Sequence, residues 1–355
     1  MLRTTTFMGA WLRNKHVHLL ARLAIAVASC GVMQAAQAQE DVENFYKGKS
    51  IKVIVGFNPG GGYDIYARLL ARHMGKHIPG NPTLVVQNMP GSGSLKAVKF
   101  LETKAAADGT AITIFNSGLI SQSLTAPEKV NADFRDYAWL GSASEDIRVC
   151  FTWHTRNAKH WKDLLGQREL QFGATSPGTL GYIEARIVAD YLQVPLRLVA
   201  GYPGSAEKRL AVEKGELEGD CGGWVSIPDH WLEEKKINVM IRFSKTLLPG
   251  MDAATPYAGD IITDPIKKKS FALLIAPEEI GRPFIMSKEV PADRLAAMRG
   301  AFEAMLKDPE FIEDAKRQQL PLLSMSAKQV QDRLKDIYDV SADVVKEARR
   351  ISGGE

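Results

Sequence analysis

The chain has 355 residues, 45% hydrophobic and 24% charged, with a formal charge of +4. Arg3, Arg13, Lys15 and Arg22, all ahead of residue 39, account for that whole surplus, so the remainder lacks the concentrated basic footprint that nucleic-acid binding requires. The length exceeds one ordinary hydrophobic core and suits two domains.

Those four basic residues precede an uncharged apolar run, Leu23 to Met33, and the small-residue site Ala36-Gln37-Ala38. This is the pattern of a secretory signal peptide over residues 1–38, cleaved before Gln39. A competing reading takes Val27-Ala28-Ser29-Cys30 as a lipobox, in which Cys30 would be acylated and anchor the protein. A transmembrane anchor needs about 20 apolar residues, and the run is roughly half that.

Strand and helix signals then alternate, which predicts an α/β chain with largely parallel sheets covered on both faces. KVIVGF (52–57) feeds a helix over 63–77, TLVVQN (83–88) feeds a helix within 94–105, and TAITIFNSG (110–118) follows. A second block holds IRVCFTW (147–153), LQFGATS (170–176), a helix over about 180–192, PLRLVAGY (195–202), a helix over 205–214, ELEGDCGG (216–223) and INVMIRF (237–243). A polar stretch from Leu248 to Lys269 precedes SFALLIAP (270–277), and the chain ends in helices over roughly 291–306, 308–318 and 326–350.

The chemistry concentrates at two strand-to-helix loops. In NPGGGYD, Asn58 to Asp64, glycine lets a ligand approach the backbone, and the first amides of the following helix have no partner inside it. Together with the helix dipole they favour an anion, and a carboxylate fits. The phosphate-binding loop needs Lys-Ser/Thr after its last glycine, where this chain has Tyr63-Asp64; Gly91-Ser92-Gly93-Ser94 lacks the third glycine of the dinucleotide fingerprint. FGATSPGTLGY (172–182) repeats the strand, small-residue loop and helix arrangement, so two such loops can face each other across a cleft.

Catalytic and metal-binding patterns are weak. His73 and His77 share a helix face but lack a third ligand by spacing, and a helix-end histidine pair accounts for them. Ser176 lacks a nucleophile elbow, and no carboxylate pair is spaced as acid and base. Cys150 and Cys221 lie in strand-like segments, and their number alone does not imply a disulfide. No metal or cofactor is expected.

FYKGKSIKVIVGFNPGGGYDIYARLLARHM, VVQNMPGSGSLKAVKFL with ADGTAITIF, and then FGATSPGT, GYPGSAEKRLAVEKGELEGD, LLIAPEEIGRPF, VPADRL and KDPEF resemble, in order, the extracytoplasmic solute-binding proteins of tripartite tricarboxylate transporters, the Bug proteins. The resemblance implies a type II periplasmic-binding-protein fold, with lobe one formed by 47–143 plus 277–350 and lobe two by the inserted 144–276. It implies a periplasmic, monomeric binding protein, not an enzyme, that captures a small di- or tricarboxylate or an aromatic carboxylate for integral membrane transporter subunits.

The ligand positions it implies are Asn58, Pro59, Gly60, Gly61, Gly62, Tyr63 and Asp64 in the first loop, and Thr175, Ser176, Gly178 and Thr179 in the second. Asn116 and Ser117 of lobe one, and Tyr202, Gly204, Ser205 and Asp220 of lobe two, would line the same cleft. Tyr63 stands where the family commonly has threonine, which favours an aromatic or longer carboxylate over citrate. If 147–153 is the crossing strand of that fold, Cys150 and Cys221 become neighbours. The rival readings are a ligand-sensing subunit for a membrane receptor and a secreted enzyme on the same scaffold.

Overall fold

The structure is a computed structural model that describes residues 41–156, 158 and 160–353. The expected signal segment, residues 1–38 with Cys30, lies outside the described residues. No helix among those described is long and apolar enough to cross a membrane.

Two sheets organise the chain. The first contains β1 (Ser50–Val55), β2 (Thr83–Asn88), β3 (Ala111–Ile114), β4 (Ala138–Ser142), β10 (Pro283–Met286) and β11 (Met325–Ser326), in the order β11-β4-β10-β3-β1-β2. The second contains β5 (Arg148–Trp153), β6 (Leu170–Gly173), β7 (Leu196–Val199), β8 (Gly219–Gly223) and β9 (Ile237–Arg242), in the order β7-β6-β8-β5-β9. The sequence-based expectation of parallel pairing holds for β2-β1-β3 and β7-β6-β8. The other pairs are antiparallel: β10 with β3 and β4, β11 with β4, and β5 with β8 and β9. β10 and β5 are the strands that the chain lays down directly after passing from the other lobe.

Strand periodicity explains the core. Ile51, Val53 and Val55 of β1 point into one apolar cluster, where they meet Tyr66, Leu69 and Leu70 of helix α1 (Gly62–His73); Ile54 points to the opposite face. That opposite cluster runs on through Phe115 and Trp139 into lobe two, reaching Phe172, Ile183 and Phe271, so one continuous core spans the junction. A third cluster, with Phe151, Val212, Trp224 and Trp231, covers the far face of the second sheet.

The other helices of eight or more residues among those described are α2 (Leu95–Thr103), α3 (Gly118–Thr125), α4 (Leu180–Tyr191), α5 (Ser205–Glu213), α6 (Pro265–Ile275), α7 (Ala292–Leu306), α8 (Pro309–Arg317), α9 (Ala327–Tyr338) and α10 (Ala342–Ser352). Several boundaries differ from the sequence reading. The predicted 63–77 helix ends at His73 and tightens into a 3-10 turn, Gly75–His77. SFALLIAP sits mostly in α6, which begins inside the supposed polar stretch because Asp264 accepts amide bonds from Ile266 and Lys267 and Pro265 occupies the first turn. The single helix expected over 326–350 is two, broken between Tyr338 and Ala342. β4 and β10, only 5 and 4 residues long, escaped the sequence reading.

Cys150 and Cys221 are direct partners in the β5–β8 register and are joined as a disulfide, with Cα atoms 4.0 Å apart. The passages between lobes also pair with each other: the Ala143 amide donates to the Arg282 carbonyl at 3.1 Å, and the Asp146 amide donates to the Glu278 carbonyl at 2.8 Å.

Candidate functional site

The parallel strands β1 and β6 end in the two glycine-containing loops, and each loop meets the opposite lobe. The Asn58 amide donates to the Pro203 carbonyl at 3.5 Å, and Asn58 Nδ2 donates to Glu207 Oε1 at 2.6 Å. Gln122 of α3 reaches the Pro177 carbonyl at 3.5 Å. Gly93, with φ +60°, lies so close to lobe two that a Cβ there would meet Thr179 Cγ2 at 2.5 Å. The lobes are therefore closed on one another.

Three helices open onto this junction without a side-chain cap: α1 after Gly61, α4 after Thr179 and α5 after Gly204. Elsewhere Asp264, Asp308 and Ser326 cap their helices, while α2, α7 and α10 also start without a side-chain cap. The Thr179 hydroxyl is engaged within its own loop, donating to the Ser176 carbonyl at 2.7 Å and accepting from Thr175 Oγ1 at 3.0 Å. First-turn amides from both lobes thus converge with no side chain assigned to them, and they can receive an anion.

Several expected site residues are instead struts. Asp64, 2% exposed, accepts from the Gly60 amide (3.0 Å), Arg68 Nε (2.9 Å) and Asn88 Nδ2 (2.9 Å), so its carboxylate holds the glycine loop in shape. Burial alone would raise its pKa, but these three donors hold it below the usual value. Asn116 Oδ1 is taken by the Gly118 amide at 2.9 Å. Asp220 is buried within β8, where its Oδ1 accepts from Lys208 Nζ at 2.5 Å. Tyr202 packs half-buried against the far cluster of lobe two, which also contains Trp224.

Ser117 differs from these. Its hydroxyl is buried, with no hydrogen-bond partner among the described residues, while its amide donates to the Tyr63 hydroxyl at 3.3 Å. Tyr63 does not sit at the rim where a threonine would. Its ring stacks on Phe57 at 5.2 Å and lies under the Arg282 guanidinium at 4.6 Å. Burial, aided by the nearby Asp146 carboxylate, pushes its phenol up to about 12, so it remains a neutral donor at physiological pH.

No family model matches the chain. BugT of Bordetella pertussis is 34% identical over 128 residues, 35% of this chain and 37% of that protein, so the match spans little more than a third of the relative's length. Among solved structures, the periplasmic binding protein BugD aligns with a TM-score of 0.70 at 16% identity, over 87% of this chain and 99% of that one. The fold is that of the Bug-type periplasmic binding proteins. MatC from Rhodopseudomonas palustris, solved with bound malate, aligns with a TM-score of 0.65 at 16% identity over 86% of this chain and 99% of that one.

Beneath the Bug-type cleft lies an ion cluster that the sequence reading missed. Asp146 Oδ1 and Oδ2 accept from Arg282 Nη2 and Nη1 at 2.6 and 2.9 Å, and Oδ2 also accepts from Arg148 Nη1 at 3.0 Å. Arg148 reaches on to Glu184, with Nη2 to Oε2 at 3.2 Å. Burial pushes Glu278 well above the usual carboxyl range, and the neighbouring Glu184 charge adds to the shift. Arg282 also explains one glycine, since a Cβ on Gly62 would meet its Nη2 at 2.8 Å.

The remaining candidates fall outside the cleft. His73 Nε2 pairs with Asp314 at 2.8 Å and His77 Nε2 with Asp308 at 2.9 Å, tying the end of α1 to α8. Lys76 Nζ sits among the same acids, 2.6 Å from Asp308 and 2.5 Å from Glu310, in the place a cation would take. Lys208 and Arg209 were also missed. A signal existed, because helical spacing sets Lys208 on the same face as the buried Ala211 and Val212.

Proposed function

We propose that this protein is an extracytoplasmic solute-binding protein that closes its two lobes over a small organic carboxylate and presents it to a membrane transporter. The observation that carries the reading is the convergence of uncapped helix starts from both lobes around the buried, unpartnered Ser117 hydroxyl. A carboxylate would accept from the first-turn amides beyond Gly61 and Thr179 and from the Ser117 and Tyr63 hydroxyls. Bridging both lobes only when they are closed, it would favour the closed state by population shift. The malate bound by MatC, whose fold this chain shares, supports the ligand class.

The test is thermal unfolding of the purified protein against succinate, malate, adipate, citrate and benzoate. A ligand at 100 times its Kd stabilises by about 2.7 kcal/mol, a rise of about 4 °C in a protein of this size. Ser117→Ala should abolish most of that rise. In the absence of ligand it should leave the midpoint unchanged or slightly higher, because an unsatisfied buried hydroxyl is lost. A panel with no shift would remove the carboxylate assignment, and recovery of a chemically altered acid after incubation would favour an enzyme.

A further inference from the structure

Helix α5 opens at the cleft and turns two consecutive cations inward, Lys208 and Arg209. Lys208 has its carboxylate in Asp220. Arg209 is only 7% exposed, yet among the described residues it forms no ion pair. Its one hydrogen bond runs from Nη2 to Ser226 Oγ at 2.5 Å, and Nε is buried without a partner. Desolvation lowers its pKa to about 10, so it remains charged at neutral pH. Compensation is partial: the Asp220 carboxylate attracts it but is hydrogen-bonded through Oδ1 to Lys208, Arg148 repels, and Glu207 Oε1 is turned to Asn58 of lobe one. A buried guanidinium that shares a carboxylate with a second cation is incompletely compensated, and an arriving anion would complete the pairing.

The surroundings place this charge at the cleft. Ser226 ends the 3-10 turn Trp224–Ser226 that follows β8. β8 runs parallel to β6, whose carboxyl end feeds the 175–179 loop. Val225 in the same turn packs against the lobe-one cluster containing Phe57 and Tyr63. The guanidinium therefore lies beside the turn through which lobe two meets lobe one, one helical turn from the start of α5 at Ser205.

We propose that Arg209, aimed by Ser226, forms a second anionic subsite in the cleft and holds the distal carboxylate of a short dicarboxylate whose first carboxylate sits at the glycine-loop amides. The assignment rests on the carboxylate-binding function argued above and adds a selection rule: diacids over monoacids. Arginine suits the role because its planar fork matches a carboxylate bidentately.

The test uses isothermal titration calorimetry on the purified chain with succinate and adipate, each against its half-amide, succinamate or adipamate. The wild type should bind at least one diacid about 30-fold or more tighter than the half-amide, the scale set by a buried charge pair. Arg209→Gln should reduce that ratio to about threefold or less while leaving half-amide affinity within about threefold, and Arg209→Lys should fall between. Ser226→Ala, which keeps the charge but frees its aim, should weaken only the diacid, by about threefold to tenfold. A wild type that does not discriminate, or an Arg209→Gln variant that discriminates as well as wild type, overturns the proposal. If Arg209→Gln does not fold, Ser226→Ala decides in the same way. Failure of every acid and half-amide to bind would instead remove the underlying function, and binding without discrimination removes only the second subsite.

Discussion

Replacing Asp146 with alanine strips the carboxylate shared by two buried guanidiniums. The three side chains are 0% (Asp146), 8% (Arg148) and 2% (Arg282) exposed, so water cannot take over the lost bonds. Arg148 keeps Glu184, but among the described residues Arg282 keeps only the faces of Tyr63 and Tyr66, at 4.6 and 5.5 Å. Removing one partner of a buried pair costs about 3–5 kcal/mol, and with Arg282 stranded and Arg148 left to Glu184 alone Asp146→Ala should fall in that range. For a chain of this size the midpoint should fall by about 4–7 °C. Urea denaturation followed by circular dichroism measures the loss directly. Adding Arg282→Met should restore part of it, since the double variant strands one cation fewer. If Asp146→Ala lies within about 1 kcal/mol of wild type, the cluster does not hold the junction and the reasoning from its burial is wrong.

Two further outcomes concern stability. The disulfide closes a sequence separation of 71 residues. Its loss, by reduction or in Cys150→Ser/Cys221→Ser, should therefore cost up to about 4 kcal/mol on loop-closure grounds, read as a lower urea midpoint. The Asp308 carboxyl is held far below its ordinary value of 3.8 chiefly by the hydrogen bond from Lys76. Asp314 is held down as strongly, its donors His73, Arg72 and Arg317 outweighing burial, which alone would raise it. Because both folded values are depressed, their contribution is present above about pH 4 and is lost as pH falls through the folded values. The stability gap between wild type and Asp308→Asn/Asp314→Asn should thus be widest near neutrality and shrink below pH 4; a gap independent of pH would refute the assignment.

What the sequence made legible was local. Three glycines between an apolar run and a helical pattern mark a strand-to-helix turn, because backbone freedom and unpaired amides follow from the residues themselves. The structure sets NPGGGYD against Pro203 to Glu207 and ATSPGT against Gly93 and Gln122, so each loop meets the other lobe, though not at the segment that pattern named. The ion cluster was not legible, because its members are scattered from Asp146 to Arg282 and each resembles an ordinary surface charge until the passages between lobes pair. Arg148 was the available clue: an arginine inside the apolar strand IRVCFTW needs a buried partner. Tyr63 shows the reverse error. Its identity was correctly singled out, but its position between Phe57 and Arg282 depends on a guanidinium more than two hundred residues away.

The last helix gives the closing motion a constraint. α9 packs on β4 and β11 of lobe one, whereas α10 packs on α6 and α4 of lobe two and on α3 of lobe one. Arg350 reaches Asp190 at 3.2 Å, and Arg349 Nε donates to the Thr125 carbonyl at 2.6 Å. The chain therefore passes between the lobes a third time, at residues 339–341. With α10 fastened to both lobes, any opening motion has to carry this third connection with it, which limits how far the lobes can part.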